Sequence, residues 1–168
     1  MKRALLLLPL LALPVFAAEE PTLYGRYEYV KVMDIGQTLK AKMDTGALTA
    51  SLSAKDIERF KRDGEDWVRF RLAADGADET LYEHRVARIS KIKNRTEEDL
   101  EDDEKVDPSQ RPVVDLELCL AGEKHRVEVN LADRSRFNYP LLIGAAALRK
   151  FDAAIDPARK FTADKPKC

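Results

Sequence analysis

The sequence predicts a mainly-β fold, a small closed barrel with one or two short helices. Three observations carry that reading. Short runs alternate apolar with polar residues, Gly- and Asp-containing turns separate them, and no long amphipathic helical segment appears. The chain has 168 residues. Setting aside the first 18 leaves about 150, enough for one domain with a real core.

Residues 1–18 are expected to be an export signal. Met1, Lys2 and Arg3 supply positive charge, residues 4–16 are apolar, and Ala17 and Ala18 offer small residues for cleavage. The apolar run is short and broken by Pro9 and Pro14, which argues against a membrane span. No cysteine stands near the cut to carry a lipid. Export in a bacterium means the periplasm. Removing Lys2 and Arg3 takes the basic count from 29 to 27 against 30 acids, a net charge near −3. That balance argues against nucleic-acid binding, which needs a basic face.

The domain is expected over residues 19–161, with a tail at 162–168. Residues 24–32, rich in Tyr and Val, read as a strand, followed by a turn at Asp34 and Gly36 and a second strand into Asp44. Residues 53–60 read as a short helix, with Ser53 as N-cap and Ile57 and Phe60 three apart. After a turn at Asp63 and Gly64, residues 67–72 and 86–92 alternate as half-buried strands. Residues 93–110 break the pattern, with eight acids and one lysine between Glu97 and Asp107. They read as a solvated acidic loop, the alternative being a flap-like cover or a partner-binding arm.

Residues 113–120 and 124–131 form two alternating runs joined by Ala121-Gly122-Glu123, a hairpin signal. A strand at Leu141, a short helix over 145–150 and a closing strand ending at Pro157 complete the expected order, and the tail looks loose. Cys119 and Cys168 can pair in an oxidising compartment; a buried free thiol at Cys119 is equally compatible with the sequence.

The chain is organised around one stretch. Leu39, Ala41 and Met43 alternate as a strand that ends in Asp44-Thr45-Gly46-Ala47, a carboxylate delivered into a tight turn where glycine tolerates unusual backbone angles. A turn whose Asp merely caps backbone amides is the plainer use of such a sequence. About a hundred residues later Leu141-Leu142-Ile143-Gly144 again runs an apolar strand into a glycine, and an Ala/Leu helix follows.

These blocks, with Arg111-Pro112-Val113-Val114 and Leu131-Ala132-Asp133-Arg134-Ser135 between them, resemble the retropepsin-like aspartic peptidases. The likeness is to a bacterial branch often labelled ATP-dependent zinc proteases and linked with ATP-grasp glutamate ligases, and it covers roughly residues 23–160. The resemblance implies an acid-protease-like barrel in which the two loops cross beneath the catalytic site. Asp44 would be the catalytic carboxylate. Thr45 would lock the loops through its hydroxyl, Gly46 would let backbone approach, and Ala47, Ile143 and Gly144 would support the site.

Aspartic peptidase chemistry needs two carboxylates sharing one proton around a water. This chain has a single Asp-Thr-Gly. The second carboxylate must therefore come from another copy, so a homodimer with facing Asp44 residues is expected. Arg111 and Arg134 are candidate substrate-binding residues; a bidentate Arg134 suits glutamate-rich peptides, while an ion pair with Asp133 or Asp152 is the plainer alternative. One departure from the family is Ala145, where an arginine is usual after the second glycine.

No cofactor or metal is expected. His84 and His125 lie in separate strand-like segments, and neither a His-Glu-x-x-His pair nor a phosphate-binding Gly-Lys loop occurs. The leading expectation is an exported homodimeric endopeptidase acting on peptide or protein substrates. The alternative is a non-catalytic periplasmic binding or regulatory module that works with a membrane-protein partner of the envelope.

Overall fold

A computed structural model describes residues 20–92 and 109–168. Residues 1–18, expected to be an export signal, and 93–108 of the expected acidic loop lie outside the described residues, while Ser109 and Gln110, assigned to that loop, begin a strand. Ten strands and one helix follow in order: β1 (Thr22–Gly25), β2 (Tyr27–Val32), β3 (Gln37–Asp44), β4 (Ala50–Arg62), β5 (Glu65–Leu72), β6 (Leu81–Ile92), β7 (Ser109–Leu120), β8 (Glu123–Ala132), β9 (Leu141–Gly144), α1 (Ala145–Lys150) and β10 (Ala153–Asp156).

Six strands close on themselves. β2 pairs with β3, β3 with β9, β9 with β4, β4 with β8, β8 with β7, and β7 returns to β2. β5 and β6 form a second route between the far half of β4 and β7. A small mainly-β barrel is thus what the chain forms. Its interior follows strand alternation: Leu39, Ala41 and Met43 of β3 meet Leu116, Leu118, Val129, Leu131, Leu141 and Ile143, all buried. The helix closes one end through Ala147 and Leu148.

Three expectations need correction. The helix over 53–60 is instead part of β4. Residues 50–54 are fully buried as a strand between β8 and β9, and the rest of β4 pairs with β5, so tertiary pairing overrides a weak helical propensity. An irregularity between Lys55 and Glu58, with Asp56 at φ 53°, shifts the alternation and hides the period of two. The strand over 24–32 is broken at Arg26 into β1, which pairs with β10, and β2.

The tail is not loose. Glu28 is wholly buried, and its carboxylate accepts hydrogen bonds from the N–H groups of Gly25 (2.7 Å), Thr162 (2.9 Å) and Ala163 (3.1 Å) and from the Thr162 hydroxyl (2.6 Å). Cys168 then bonds to Cys119 of β7, with 6.3 Å between the Cα atoms. Of the two states open to Cys119, the disulfide is the one present.

Candidate functional site

β3 and β9 lie parallel, and their register sets Asp44 opposite Gly144. The chain leaves both strands at the same level, so the turn after Asp44 meets the start of α1. Main-chain groups join them: the Ala145 N–H donates to the Ala47 carbonyl at 2.7 Å and the Ala146 N–H to the Leu48 carbonyl at 3.0 Å. A Cβ on Gly144 would stand 2.7 Å from the Leu48 oxygen and 2.8 Å from that of Ala47, so only glycine permits this approach. Gly46 is less constrained. It lies outside the left-handed region, and a Cβ there would meet Asp44 Oδ1 at 3.4 Å. Its N–H donates to that same oxygen at 3.0 Å.

Within one chain, then, main-chain groups lock the loops. Thr45, assigned that task by resemblance, is exposed on the turn. Ile143 is buried against Met43 and anchors the crossing in the core. Leu48 is 66% exposed, so the turn that carries Asp44 presents an apolar side chain to solvent.

Asp44 is half-buried, and its Oδ2 lies 2.9 Å from the Lys42 ammonium. The Lys42 hydrogen bond, supported by the Gly46 amide and opposed by burial, holds the Asp44 carboxyl below the usual carboxylate range. Lys42 lies in the same strand as Leu39, Ala41 and Met43, which run into Asp44, and the alternation of that strand was read for its apolar face alone. Its signal was available: residues two apart on a strand share a face.

Arg111 and Arg134 come together. Both line a cleft of about 630 Å³ beside the Asp44 turn, with Ala47, Leu48 and Thr49 on its rim. Arg134 is buried; its main-chain N–H donates to Ser53 Oγ (3.3 Å), its Nε to the Tyr139 carbonyl (3.4 Å), and its guanidinium stacks on Phe137. Among the described residues no ion pair joins it to Asp133, whose carboxylate accepts from the Ser135 N–H at 2.8 Å. Burial first and Arg111 second lower the proton affinity of Arg134, while Asp44 raises it. The three charges therefore share one electrostatic neighbourhood.

A third arginine, Arg88 of β6, lines the same cleft. It donates from Nε to Glu128 (2.8 Å) and from Nη2 to the Thr49 hydroxyl (3.1 Å), tying β6 to β8 and to the turn after Asp44. Nothing in an alternating strand sequence singled it out. No three His, Cys, Asp or Glu side chains cluster as a metal site would require among the described residues.

Residues 23–166 match the model of a family described as RimB-like, retropepsin-like aspartic endopeptidases. A crystal structure from Legionella pneumophila, of a protein of unknown function, is 35% identical, with a TM-score of 0.70 over 84% of this chain and 98% of that one. Proteins named probable alpha-L-glutamate ligase from Shewanella pealeana and Shewanella halifaxensis are each 31% identical over 128 residues, 73% of this chain and 25% of theirs. The chain thus spans about a quarter of the length of these curated relatives. The family match takes in both crossing loops and nearly the whole barrel, and this chain accordingly belongs to the RimB-like family of retropepsin-like proteins.

Proposed function

We propose that this chain is an aspartic endopeptidase assembled as a homodimer, in which Asp44 of each copy supplies half of the catalytic dyad. One observation carries the reading: a half-buried carboxylate sits on an exposed turn whose loop is clamped to a second, glycine-bearing loop, while Thr45, Gly46 and Leu48 around it remain uncovered. A turn that only capped its own amides would have no need of that clamp or that exposure.

In the dimer the two carboxylates share one proton and hold a water between them. The ionised Asp44 takes a proton from the water as its oxygen attacks the peptide carbonyl carbon, and the protonated one donates to the carbonyl oxygen. Proton return to the nitrogen and scission of the C–N bond release an acid and an amine. The arginine-lined cleft supports an acidic peptide as substrate, since guanidinium forks suit carboxylates. The relatives named alpha-L-glutamate ligases point to the same chemistry from the side of synthesis. The disulfide supports export through residues 1–18 to an oxidising periplasm.

The test is Asp44→Asn. We expect cleavage of glutamate-rich peptides to fall at least about 1,000-fold, with unchanged unfolding temperature and an unchanged dimer mass by light scattering. Retained turnover would reject the mechanism. The Lys42 ion pair, which holds Asp44 charged, favours a second reading: a non-catalytic module that binds a membrane-protein partner in the envelope. A chain that stays monomeric at high concentration, leaving Asp44 without its mate, would select it.

A further inference from the structure

The cleft beside Asp44 has a polar floor that the fold itself leaves unexplained. Ser51 of β4 and Asn130 of β8 are register partners in the parallel pair, so their side chains stand at one level. They are only 3% and 5% exposed, and both line the cleft. Neither Ser51 Oγ nor Asn130 Oδ1 finds a hydrogen-bond partner among the described residues. Their strand neighbours Leu52, Val129 and Leu131 turn the other way, into the apolar core.

Burying a hydroxyl and an amide without partners costs stability, and apolar residues of similar size would avoid that cost. Two adjacent strands nevertheless place such groups side by side, at the bottom of a cleft whose walls carry Arg88, Arg111 and Arg134. No Asp or Glu is among the residues that line it. An asparagine amide can turn either end to a ligand, so with an anion it presents Nδ2 as donor. The set then comprises a hydroxyl, an amide and three guanidinium groups, all able to donate.

We propose that Ser51 and Asn130 form the floor of a specificity subsite for an acidic substrate side chain, donating to its carboxylate beneath Arg88 and Arg111. The proposal rests on the acidic-peptide reading above and names the residues that enforce it. The arginines, charged and donor-only, favour a carboxylate over the neutral amide of the same shape, and the hydroxyl and amide at the base donate to the carboxylate that reaches them and hold it in place.

The experiment uses the chain carrying Asp44→Asn, which binds without cleaving, and a labelled oligoglutamate peptide beside its glutamine counterpart. Fluorescence anisotropy reads affinity. We expect the parent to prefer the glutamate peptide, and Ser51→Ala and Asn130→Ala each to weaken its binding about 10-fold. Asn130→Asp, which turns a donor into an anion, is expected to remove the preference for glutamate.

Ser51→Ala is also expected to raise the unfolding temperature, because it deletes an unsatisfied buried hydroxyl. A fall in that temperature would make the serine structural and overturn the proposal. Undiminished glutamate binding by both alanine variants would also overturn it, leaving the floor to an ordered water. A parent that does not distinguish the two peptides would instead defeat the acidic-peptide reading, and the floor with it.

Discussion

Lys42 stands two residues before Asp44 on one face of β3, and their ion pair sets the charge state from which any chemistry starts. Because the Lys42 hydrogen bond lowers the Asp44 pKa, the stability it contributes is present above the ordinary carboxylate range and is lost as pH falls through the lowered value. In the proposed dyad the same contact makes the shared proton easier to lose. Lys42→Met is therefore expected to move the whole pH profile of kcat/KM to higher pH, with little change in fold. An unmoved profile would mean that Lys42 leaves the carboxylate when two copies meet. Asp44, Ala47, Ile143 and Gly144 were legible as a set, because a strand running into a glycine turn is a local pattern. Ser51 and Asn130 were not, since an isolated polar residue in an apolar strand does not announce what lies opposite it.

At the scale of elements, the β7–β8 hairpin came directly from its turn residues. Ala121 and Gly122 both adopt positive φ, 52° and 94°, as a two-residue turn between antiparallel strands demands. Alanine at the first position is strained, and asparagine tolerates that region. Ala121→Asn is expected to stabilise the chain by about 0.5–1 kcal/mol in urea unfolding. A loss instead would show that the turn is held by contacts other than its backbone geometry. β4 was illegible for a specific reason. Its irregularity at residues 55–58 resets the alternation, and the spacing of Ile57 and Phe60 then imitates a helix face.

For the molecule as a whole, the tail acts as a strap. It runs from Glu28, whose carboxylate holds Thr162 and Ala163, to the Cys119–Cys168 disulfide, and Lys31 Nζ donates to the Cys168 carbonyl at 3.0 Å. The bridge spans 49 residues of sequence. Cys168→Ser is expected to destabilise the oxidised chain by roughly 2–4 kcal/mol, and reductant should lower the unfolding temperature of the parent but not of the variant. An equal response in both would show that the disulfide carries none of the stability.

The sequence by itself determined the alternating strands, the hairpin, the short helix α1 and the two glycine-bearing loops around Asp44, since each is a pattern among near neighbours. Only the tertiary structure decided that β4 is a strand, that Arg88, Arg111 and Arg134 meet over Ser51 and Asn130, and that the tail is bound. Those outcomes join residues far apart in the chain, as Glu28 and Thr162 are at a separation of 134. Barrel closure, rather than any local period, chooses which distant side chains become neighbours.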